Sequence, residues 1–526
     1  MTDFSTLPST IWGLLEYRAD LSPNSVMLAD EHGHAVTYSA ALRDAEDVAA
    51  GLLDLGVRPG HVVSWQLPTR VETVILSLAL ARIGVVQNPV IPVYRRREVA
   101  AMLRQCASDW FVTVDAFRGF DHAAMARELA RERSGLRLMI LDAGLPTGDS
   151  GTLPPAPSPT SGDAVRWIYT TSGTTSAPKG VCHSDASLLA GGYGLAAAGG
   201  WSAEDVGAIL FPYAHIGGPD QLTAALAVGM KVVLMEAFDP KAAMVLQREQ
   251  GVTISGGATP FYLMFLEEQR KAGHDPLVPS LRVLMGGGGP MAEQIYHDVL
   301  QVMGIPVVHG YGMTECPMIT INRPGDGADI LSTTVGQPVP GCELQIRSDG
   351  GQPVPTGEPG NVWVRGQMLF HHYLVDGEVV VPHDEEGWFD TGDLGFVREA
   401  GHVVLVGRAK DLIIRKGESI SPMEIEEVLR VYPGVQDVAV VGVPDPARGE
   451  LVCAAFQLHT GAVAPTVSDL REFCREAGLS PFKAPERVEI VDAMPRTPTM
   501  KIRKEQLKQD LAARADTTRT ASALAG

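Results

Sequence analysis

The chain has 526 residues, 45% of them hydrophobic, and 62 acidic against 43 basic residues give a formal net charge of −19 at pH 7. This length exceeds what a single hydrophobic core normally serves, so two or more domains are expected. The acidic balance argues against non-specific nucleic-acid binding and against an anionic membrane surface as a partner.

The cysteines and the apolar segments indicate a cytoplasmic protein. Six cysteines are scattered without a CxxC pair or a zinc-like spacing, so we expect free thiols in a reducing compartment. The N-terminus carries early acidic residues and no long apolar run, so no signal peptide is expected. The most apolar stretch, 74–86, is interrupted by Arg82 and is too short to span a membrane.

The first 140 residues alternate helical and strand-like patterns. Positions 39–57 carry apolar residues at helical spacing, and 61–67 reads as a strand. The stretch 71–86 then reads as a buried helix, and 110–115 as another strand. Alternation of this kind predicts an α/β fold with a largely parallel sheet.

The pattern changes twice further along. Residues 144–163 are rich in Pro, Gly, Ser and Thr, which predicts a mobile connector. The α/β pattern resumes with a strand at 164–170 and continues to about residue 340. Short alternating strands separated by Gly/Pro turns follow, and they predict an antiparallel β subdomain.

A last unit starts near Lys410. Ser421 is a predicted N-cap, Pro422 occupies the first helical position, and Glu424 follows the cap by three residues, so we expect a capping box. Two strands and another helix complete a small α+β domain.

The predicted fold class is therefore α/β in two parts. The large N-terminal domain, 1–409, contains α/β subdomains plus the β subdomain. The small C-terminal domain, 410–526, is expected to be mobile, with a disordered tail at 513–526.

One stretch, "YTTSGTTSAPKGV" at 169–181, has the composition of a phosphate-binding loop. Glycines let backbone amides approach a phosphate, hydroxyls add donors, and Lys179 adds a cation. The common nucleotide loop does not fit, because it needs glycine in place of Pro178 and a hydroxyl residue in place of Gly180. Composition alone leaves a solvated Ser/Thr loop as an equal alternative.

The order of residues in this loop resembles the phosphate-binding loop of the adenylate-forming superfamily. That superfamily contains acyl-CoA synthetases, adenylation domains and firefly-type luciferases. Further segments are similar to its motifs and occur in the same order, so the chain is identified as a member. They are "FPYAHIGG" (211–218), "LMGGGGP" (284–290), "GYGMTE" (310–315), "GWFDTGDLG" (387–395), "GRAKDLIIRKGESISPMEIE" (407–426) and "PRTPTMKIRK" (495–504).

The resemblance implies an ATP site spread over these motifs, with Gly417 reserved for the second half-reaction. The implied positions are Thr171, Ser172, Gly173, Thr174, Thr175, Ser176, Lys179, Gly287, Gly288, Gly289, Pro290, Gly310, Tyr311, Gly312, Asp393, Arg408 and Gly417.

Within this set, individual side chains suit individual parts of Mg·ATP. Tyr311 can stack on adenine, Thr314 can donate to a phosphate oxygen, and Glu315 is a hard oxygen ligand suited to Mg²⁺. Asp393 and Arg408 can bind the ribose hydroxyls. Without the resemblance, the same residues would read as a surface turn and a surface salt bridge.

Lys501, in the last motif, is implied to be the catalytic lysine that bridges the substrate carboxylate and the α-phosphate. Lys504 and Lys508 are expected to be solvated. Lys410 is implied to be the hinge, with an ordinary surface lysine as the alternative. His215 is implied to lie beside the acid, with a simple filling role as its alternative, and His309 is expected to be structural.

The acid pocket is expected between His215, Gly217, Gly286 and Tyr311. The four glycines at 286–289 remove side chains from one wall, which predicts a roomy, mostly apolar pocket.

The family pattern is not matched everywhere. Ser176 and Met500 stand where the family commonly has glycine.

The expected reaction converts a fatty, alicyclic or aromatic acid, ATP and coenzyme A into acyl-CoA, AMP and pyrophosphate, in a setting of lipid metabolism. One alternative is a stand-alone adenylation enzyme that loads a carrier-protein pantetheine. Another is a luciferase-like oxidase, and a third is a non-enzymatic adenylate-binding paralogue. The sequence does not identify the acid. It also does not determine the oligomeric state, for which a homodimer is one option.

Overall fold

The structure is a computed structural model that describes residues 4–142, 144–158, 160–171, 179–416, 418–445, 448–497 and 500–511. Several expectations concern residues outside these ranges. They are those for Ser172, Gly173, Thr174, Thr175, Ser176, Gly417 and the tail at 513–526.

Helices and strands alternate through most of the described chain. The α-helices are α1 (Ile11–Leu21), α2 (Tyr38–Asp54), α3 (Val71–Ile83), α4 (Arg96–Gln105), α5 (His122–Glu132), α6 (Asp185–Gly199), α7 (Gly217–Val228), α8 (Pro240–Gln250), α9 (Thr259–Ala272), α10 (Glu293–Met303), α11 (Ala328–Thr333), α12 (Pro422–Leu429) and α13 (Val467–Glu476).

The strands are numbered in chain order in the same way. They are β1 (Val26–Asp30), β2 (Ala35–Thr37), β3 (Val62–Gln66), β4 (Val86–Pro89), β5 (Trp110–Val114), β6 (Ala116–Phe117), β7 (Phe120–Asp121), β8 (Arg137–Leu141), β9 (Val165–Thr171), β10 (Lys179–Ser184), β11 (Val206–Ile209), β12 (Lys231–Leu234), β13 (Ile254–Gly257), β14 (Val283–Gly287), β15 (Val307–Met313), β16 (Cys316–Ile321), β17 (Gln337–Pro338), β18 (Cys342–Arg347), β19 (Gly360–Gly366), β20 (His372–Val375), β21 (Glu378–Val380), β22 (Phe389–Val397), β23 (Val403–Arg408), β24 (Ile413–Arg415), β25 (Glu418–Ile420), β26 (Val435–Asp445), β27 (Gly449–Leu458) and β28 (Arg487–Ile490).

Two large sheets form the body of the molecule and confirm the predicted α/β class. The first runs β17-β16-β15-β14-β13-β11-β12-β1-β2, and the second runs β21-β20-β10-β9-β4-β3-β5-β8. Inner neighbours such as β14 and β15, or β3 and β4, are parallel. Antiparallel strands lie at the edges, where β15 meets β16 and where β9 meets β10.

A third sheet, β18-β19-β22-β23, is antiparallel throughout, as the Gly/Pro-punctuated sequence predicts. Two strands from the same part of the chain, β20 and β21, do not join this third sheet. β20 and β21 leave this sheet and extend the second one, because β20 pairs with β10. This detour places β20 beside β10, with Tyr373 opposite Val181.

The C-terminal part has its own sheet, β25-β24-β27-β26, with β28 beside β27. Apolar clusters cover both of its faces, one around Leu429 and Leu470 and another around Leu507 and Leu511. The main core of the large body comprises buried residues from Ile11 to Phe389. Separate clusters therefore lie on either side of 409/410, and the exact boundary stays a prediction.

The capping box expected at α12 is wrong. Pro422 does occupy the first turn, but the Ser421 side chain makes no capping hydrogen bond. Its hydroxyl donates to the carbonyl of Val406 instead, and the Glu424 carboxylate accepts from Nζ of Lys483 at 2.7 Å. The two side chains that a capping box would use are therefore bonded to residues from other parts of the chain.

The connector at 144–163 packs against the body where the structure describes it. The amide of Gly148 donates to the carbonyl of Asp47 in α2 at 2.8 Å. A Cβ placed on Gly51 would lie 2.7 Å from the backbone of Pro146, so glycine at that position permits the close approach. The structure therefore places this segment along α2 rather than leaving it loose.

All six cysteines are free thiols, as the sequence predicts, and the structure buries all of them. No helix within the described residues combines the length and the apolar character that crossing a bilayer would require.

Candidate active site

The sequence motifs converge where strands of the two large sheets end. Thr171 closes β9, and Lys179 opens the antiparallel strand β10 directly opposite it. Gly287 closes β14, and Tyr311 lies in the neighbouring parallel strand β15. In open α/β sheets, ligands bind outside the carboxyl ends of parallel strands, and these residues meet at such an edge.

Asp393 is held from two sides by residues of other motifs. The Tyr311 hydroxyl donates to its Oδ2 at 2.5 Å, and Nε of Arg408 donates to its Oδ1 at 2.6 Å. The carboxylate is buried, whereas 43% of the Arg408 side chain is exposed. Burial and the neighbouring Asp393 hold the pKa of Tyr311 well above its ordinary value, so the tyrosine stays a neutral donor.

Glu315 is held by a residue that the sequence analysis missed. The Tyr373 hydroxyl donates to its Oε1 at 2.7 Å, and Nζ of Lys179 lies 5.0 Å from the centroid of the Tyr373 ring. The second carboxylate oxygen, Oε2, has no hydrogen-bond partner among the described residues. A fixed carboxylate with one free oxygen fits a magnesium ligand.

His183 is a second residue that sequence reasoning missed. It is fully buried, and its Nε2 lies 2.7 Å from the carbonyl oxygen of Thr314, while its Nδ1 lies 2.9 Å from Oγ of Ser187. A carbonyl only accepts, so Nε2 carries the proton and the ring links β10 to the Thr314–Glu315 turn. Burial lowers the pKa of His183 to about 4, which keeps the ring neutral.

The glycines at 286–289 have two different roles. A Cβ on Gly286 would lie 1.8 Å from the carbonyl oxygen of Gly257, and a Cβ on Gly287 would lie 2.4 Å from that of Gly310. These two glycines therefore permit close strand contact, and the expectation that they widen the acid pocket is wrong. Around Gly289, in contrast, no atom of the described residues lies within 4 Å of a Cβ position, its two chain neighbours apart.

Two side chains hold the backbone of the glycine turn, residues 286–290, through hydrogen bonds to its last two carbonyls. Nε2 of His309 donates to the carbonyl of Gly289 at 2.8 Å, and the Thr259 hydroxyl donates to the carbonyl of Pro290 at 2.8 Å. Burial lowers the pKa of His309 to about 4, so the ring acts as a neutral donor. The structural role expected for His309 thus consists of fixing this turn.

Lys501 reaches the same turn from the C-terminal part. A Cβ on Gly288 would lie 3.7 Å from Cε of Lys501. The residue is partly accessible to solvent. The surrounding protein atoms nevertheless desolvate its ammonium group, and this desolvation together with the nearby charge of Arg408 lowers the pKa of Lys501. Met500, just before it, has a φ of +67°, a left-handed conformation that favours glycine. The methionine in place of the common glycine therefore sits in a strained turn.

His215 lies next to this lysine at the start of α7. The amide of Gly217 donates to its Nδ1 at 3.2 Å, which leaves the proton on Nε2. Burial, together with the charge of Lys501, lowers the pKa of His215 to about 4. The ring of Phe211 meets His215 edge to face, with 6.2 Å between the centroids. A neutral imidazole and an apolar ring thus border the position where the sequence analysis puts the acid.

The three other lysines considered in the sequence analysis have different surroundings. Lys410 is exposed in a short 3₁₀ turn, Ala409–Asp411, directly after β23. Nζ of Lys504 lies 2.7 Å from Glu426, and Nζ of Lys508 lies 2.7 Å from Glu450. These two lysines form ion pairs inside the C-terminal part, where the sequence analysis expected solvated side chains.

Comparison with known proteins agrees with this geometry. The family model described as AMP-binding enzyme matches residues 15–374, and the model described as AMP-binding enzyme C-terminal domain matches residues 424–501.

Two curated relatives align over nearly the whole chain. The medium-chain fatty-acid–CoA ligase of Escherichia coli (strain K12) is 29% identical, over 95% of this chain and 91% of that protein. The salicyl-AMP ligase / salicyl-S-ArCP synthetase of Mycobacterium tuberculosis is 30% identical, over 92% of this chain and 86% of that protein. Among solved structures, ATP-bound MatB from Rhodopseudomonas palustris superimposes with a TM-score of 0.85 at 26% identity, covering 96% and 99% of the two chains.

Proposed function

Because this chain belongs to the family of AMP-binding enzymes and is an AMP-forming ligase, we propose that it joins a carboxylic acid to coenzyme A through an acyl-adenylate. The observation that carries the proposal is the position of Lys501. This side chain comes from the C-terminal part, yet its surroundings include Gly288, Arg408, Asp393 and Glu315 of the large body. Cationic and donor groups from both parts thus face one cleft.

In the first half-reaction, a carboxylate oxygen of the acid attacks the α-phosphorus of ATP, and the bond to pyrophosphate breaks. Lys501 neutralises charge on the carboxylate and the α-phosphate, and Thr314 donates to the latter. Asp393 and Arg408 orient the ribose. Glu315 would hold Mg²⁺ through Oε2, and the ion would offset negative charge on the phosphates.

His215, which is neutral at pH 7, lies beside the position proposed for the carboxylate of the acid substrate. A protonated imidazole there would compete with Lys501 for the acid. The low pKa of the histidine keeps that competitor away at neutral pH, so the lysine remains the cation that positions the carboxylate.

In the second half-reaction, the C-terminal part turns about Lys410, Lys501 withdraws and the segment around Gly417 approaches. The thiolate of coenzyme A attacks the acyl carbon, the bond between this carbon and the phosphate oxygen breaks, and AMP leaves. The 3₁₀ turn at Ala409–Asp411 supports a hinge at this position, because none of its residues is buried and such a turn can absorb backbone rotation.

The acid is proposed to be a fatty, alicyclic or aromatic one. Two of the relatives support a fatty or an aromatic acid. One is named as a medium-chain fatty-acid–CoA ligase, and the other as a salicyl-AMP ligase. The second relative is also named as a synthetase of a carrier-protein thioester. Loading of a carrier-protein pantetheine is therefore the second candidate for the thiol acceptor.

The test is release of pyrophosphate and AMP across a carboxylate library, with free CoA, with holo carrier protein and with neither. We expect acid-dependent pyrophosphate release in all arms and acyl-CoA formation only with CoA. Lys501→Ala should abolish acid-dependent release, whereas Lys508→Ala, which removes a lysine paired with Glu450, should retain it. Turnover with the carrier protein but not with CoA would refute the proposed acceptor, and no release with any acid would refute the proposed reaction.

A further inference from the structure

The hydroxyl of Ser421 bonds to another part of the chain, although its backbone is placed to cap its own helix. Ser421 precedes α12 with a φ of −76° and a ψ of 118°, the extended conformation of an N-cap. A serine in this position normally accepts a hydrogen bond from an amide of the first turn. Its side chain makes no such bond, and the hydroxyl donates to the carbonyl of Val406 at 2.5 Å. The hydroxyl therefore serves a contact outside α12.

This hydrogen bond joins residues on opposite sides of the proposed hinge. Val406 lies in β23 of the large body, and Ser421 lies beyond Lys410, in the C-terminal part. The contact is close, since a Cβ on Gly407 would lie 3.0 Å from Oγ of Ser421. A turn of the C-terminal part about Lys410 carries Ser421 away from β23. The bond therefore belongs to the arrangement that the structure shows and is lost in a turned one.

An ion pair connects the helix that begins after Ser421 to the segment that carries Lys501. Nζ of Lys504 lies 2.7 Å from Oε1 of Glu426 in α12, and only 7% of the Glu426 side chain is exposed. The same oxygen accepts a hydrogen bond from the amide of Val440 in β26 at 2.6 Å. A pair shielded in this way is screened little by solvent and salt. It therefore ties the position of the lysine segment to that of α12.

Apolar packing reinforces this connection. Ile425 and Leu429 of α12 are buried in the cluster on one face of the C-terminal sheet. Leu507 and Leu511, which follow Lys504, are buried in the cluster on the other face. Packed cores have low compressibility and transmit displacement rather than absorbing it. We therefore expect α12, the sheet and the lysine segment to move as one unit.

Ser421 and Lys501 are two points at which this unit meets the large body. Cε of Lys501 lies 3.7 Å from the position of a Cβ on Gly288, at the glycine turn. Ordering a long lysine side chain costs rotamer entropy, so its place in the cleft depends on contacts that hold its segment. The bond from Ser421 to Val406 is such a contact.

We propose that Ser421 is a positioning residue for the first half-reaction. Its bond to Val406 holds the C-terminal part in the arrangement in which Lys501 reaches the cleft, and the bond breaks when that part turns for the second half-reaction. The inference rests on the proposed function, in which only the first half-reaction needs Lys501. Loss of the hydroxyl should therefore slow formation of the acyl-adenylate and spare its transfer to coenzyme A.

The experiment measures the two half-reactions separately, with an acid that the carboxylate library identifies. Single-turnover release of pyrophosphate from acid and ATP reports the first, and formation of acyl-CoA from isolated acyl-adenylate and CoA reports the second. In Ser421→Ala, the first rate should fall about 3- to 10-fold, the effect of one neutral hydrogen bond. The second rate should stay within about twofold of the unmodified protein. Ser421→Thr, which keeps a hydroxyl donor, should retain both rates.

Two further variants separate positioning from a general loss of stability. Ser421→Asp can still cap α12 but has no proton to donate to Val406 at neutral pH, so it should slow the first half-reaction as Ser421→Ala does. Ser280→Ala is the matched control, because the hydroxyl of Ser280 donates to the carbonyl of Val252 at 2.8 Å within the large body. It should leave the ratio of the two rates unchanged.

Three results would overturn the proposal while the unmodified protein remains active. They are an unchanged first rate in Ser421→Ala, an equal fall of both rates in that variant, and a normal first rate in Ser421→Asp, which would reduce Ser421 to a helix cap. Failure of the proposed function looks different, because the unmodified protein would then release no pyrophosphate with any acid.

Discussion

The hydroxyl of Tyr311 lies 2.5 Å from Oδ2 of Asp393, although the two residues are 82 positions apart in the chain. Arg408 holds the other oxygen of the same carboxylate at 2.6 Å. The carboxylate is therefore fixed in orientation by a strand of the first sheet and by its own sheet neighbour. A fixed acceptor suits a pair of vicinal hydroxyls, which is the feature that ribose offers.

We predict that Asp393→Ala raises the KM for ATP by about 10- to 100-fold, because hydrogen bonds to a charged group contribute about 1.5–3 kcal/mol each. Tyr311→Phe should have a smaller effect, about fivefold, since Arg408 still orients the carboxylate. Kinetics with ATP, 2′-deoxy-ATP and 3′-deoxy-ATP measure this, and Asp393→Ala should lose the preference for ATP.

The control for this prediction is Asp390→Ala, an exposed carboxylate three positions earlier whose Oδ1 accepts from the amide of Gly392. Its KM for ATP should stay within twofold of the unmodified protein. If Asp393→Ala kept its preference for ATP over both deoxynucleotides, the ribose assignment would be untenable.

The strained turn before Lys501 leads to a second prediction. Met500 has a φ of +67°, which disfavours side chains by about 1–2 kcal/mol, whereas glycine adopts it freely. Glycine also adds entropy to the unfolded chain, so Met500→Gly should stabilise the protein by about 0.5–1 kcal/mol. Urea unfolding measures the change.

The same variant tests whether the methionine limits catalysis. Lys501 keeps its backbone position in Met500→Gly, so the rate of acyl-adenylate formation should change less than threefold. Met500→Ala, which keeps the strain and only shortens the side chain, is the comparison. A less stable Met500→Gly protein would show that the packing of the methionine outweighs the strain of its backbone.

The sequence predicted the parts of the site that are local motifs and missed those built from distant contacts. Glu315 and Asp393 stand in short segments whose residue order is informative by itself. Tyr373 contacts Glu315 across 58 positions, and His183 contacts Thr314 across 131. No pattern in the sequence connects such pairs, because their proximity depends on how β20 and β10 join the second sheet.

The same limit explains the errors in the fold prediction. Ser421 and Glu424 have the spacing of a capping box, and Gly286 and Gly287 have the composition of an open wall. In each case a neighbour from elsewhere in the chain decides the outcome. Val406 accepts the serine hydroxyl, and adjacent strands approach the two glycines until no side chain would fit. Periodicity, in contrast, predicted the helices and strands well.

The bond from Tyr373 to Glu315 leads to a third prediction. Tyr373→Phe removes the donor to Oε1, so the carboxylate is free to rotate, and we expect the apparent KM for Mg·ATP to rise about three- to tenfold. The phenylalanine ring keeps the face that Lys179 approaches. A titration of magnesium at fixed ATP gives the measurement.

Glu315→Gln serves as the stronger counterpart, because it keeps the partner of Tyr373 but removes the negative charge. It should raise the magnesium requirement more than Tyr373→Phe does. An unchanged magnesium dependence in both variants would mean that Glu315 is not the ligand of the ion.

The buried histidines predict a loss of stability in acid. His183 and His309 have a pKa of about 4 in the folded protein against an ordinary value of 6.5, because burial disfavours the charged ring. Between these values the unfolded chain binds protons that the folded chain does not. The free energy of unfolding therefore falls as the pH drops from about 6.5 to about 4, by up to about 1.4 kcal/mol per pH unit for each ring.

His183→Gln should separate this effect from the other titrating groups. Glutamine keeps an N–H donor for the carbonyl of Thr314 but cannot gain a proton, so the variant should lose less stability on acidification than the unmodified protein. Urea unfolding at pH 7.5, 6.5, 5.5 and 4.5 measures both slopes, and His274→Gln, at an exposed site, is the control. Because the other buried titrating groups are the same in all three proteins, the difference between the slopes isolates His183, and identical slopes would contradict the buried neutral ring.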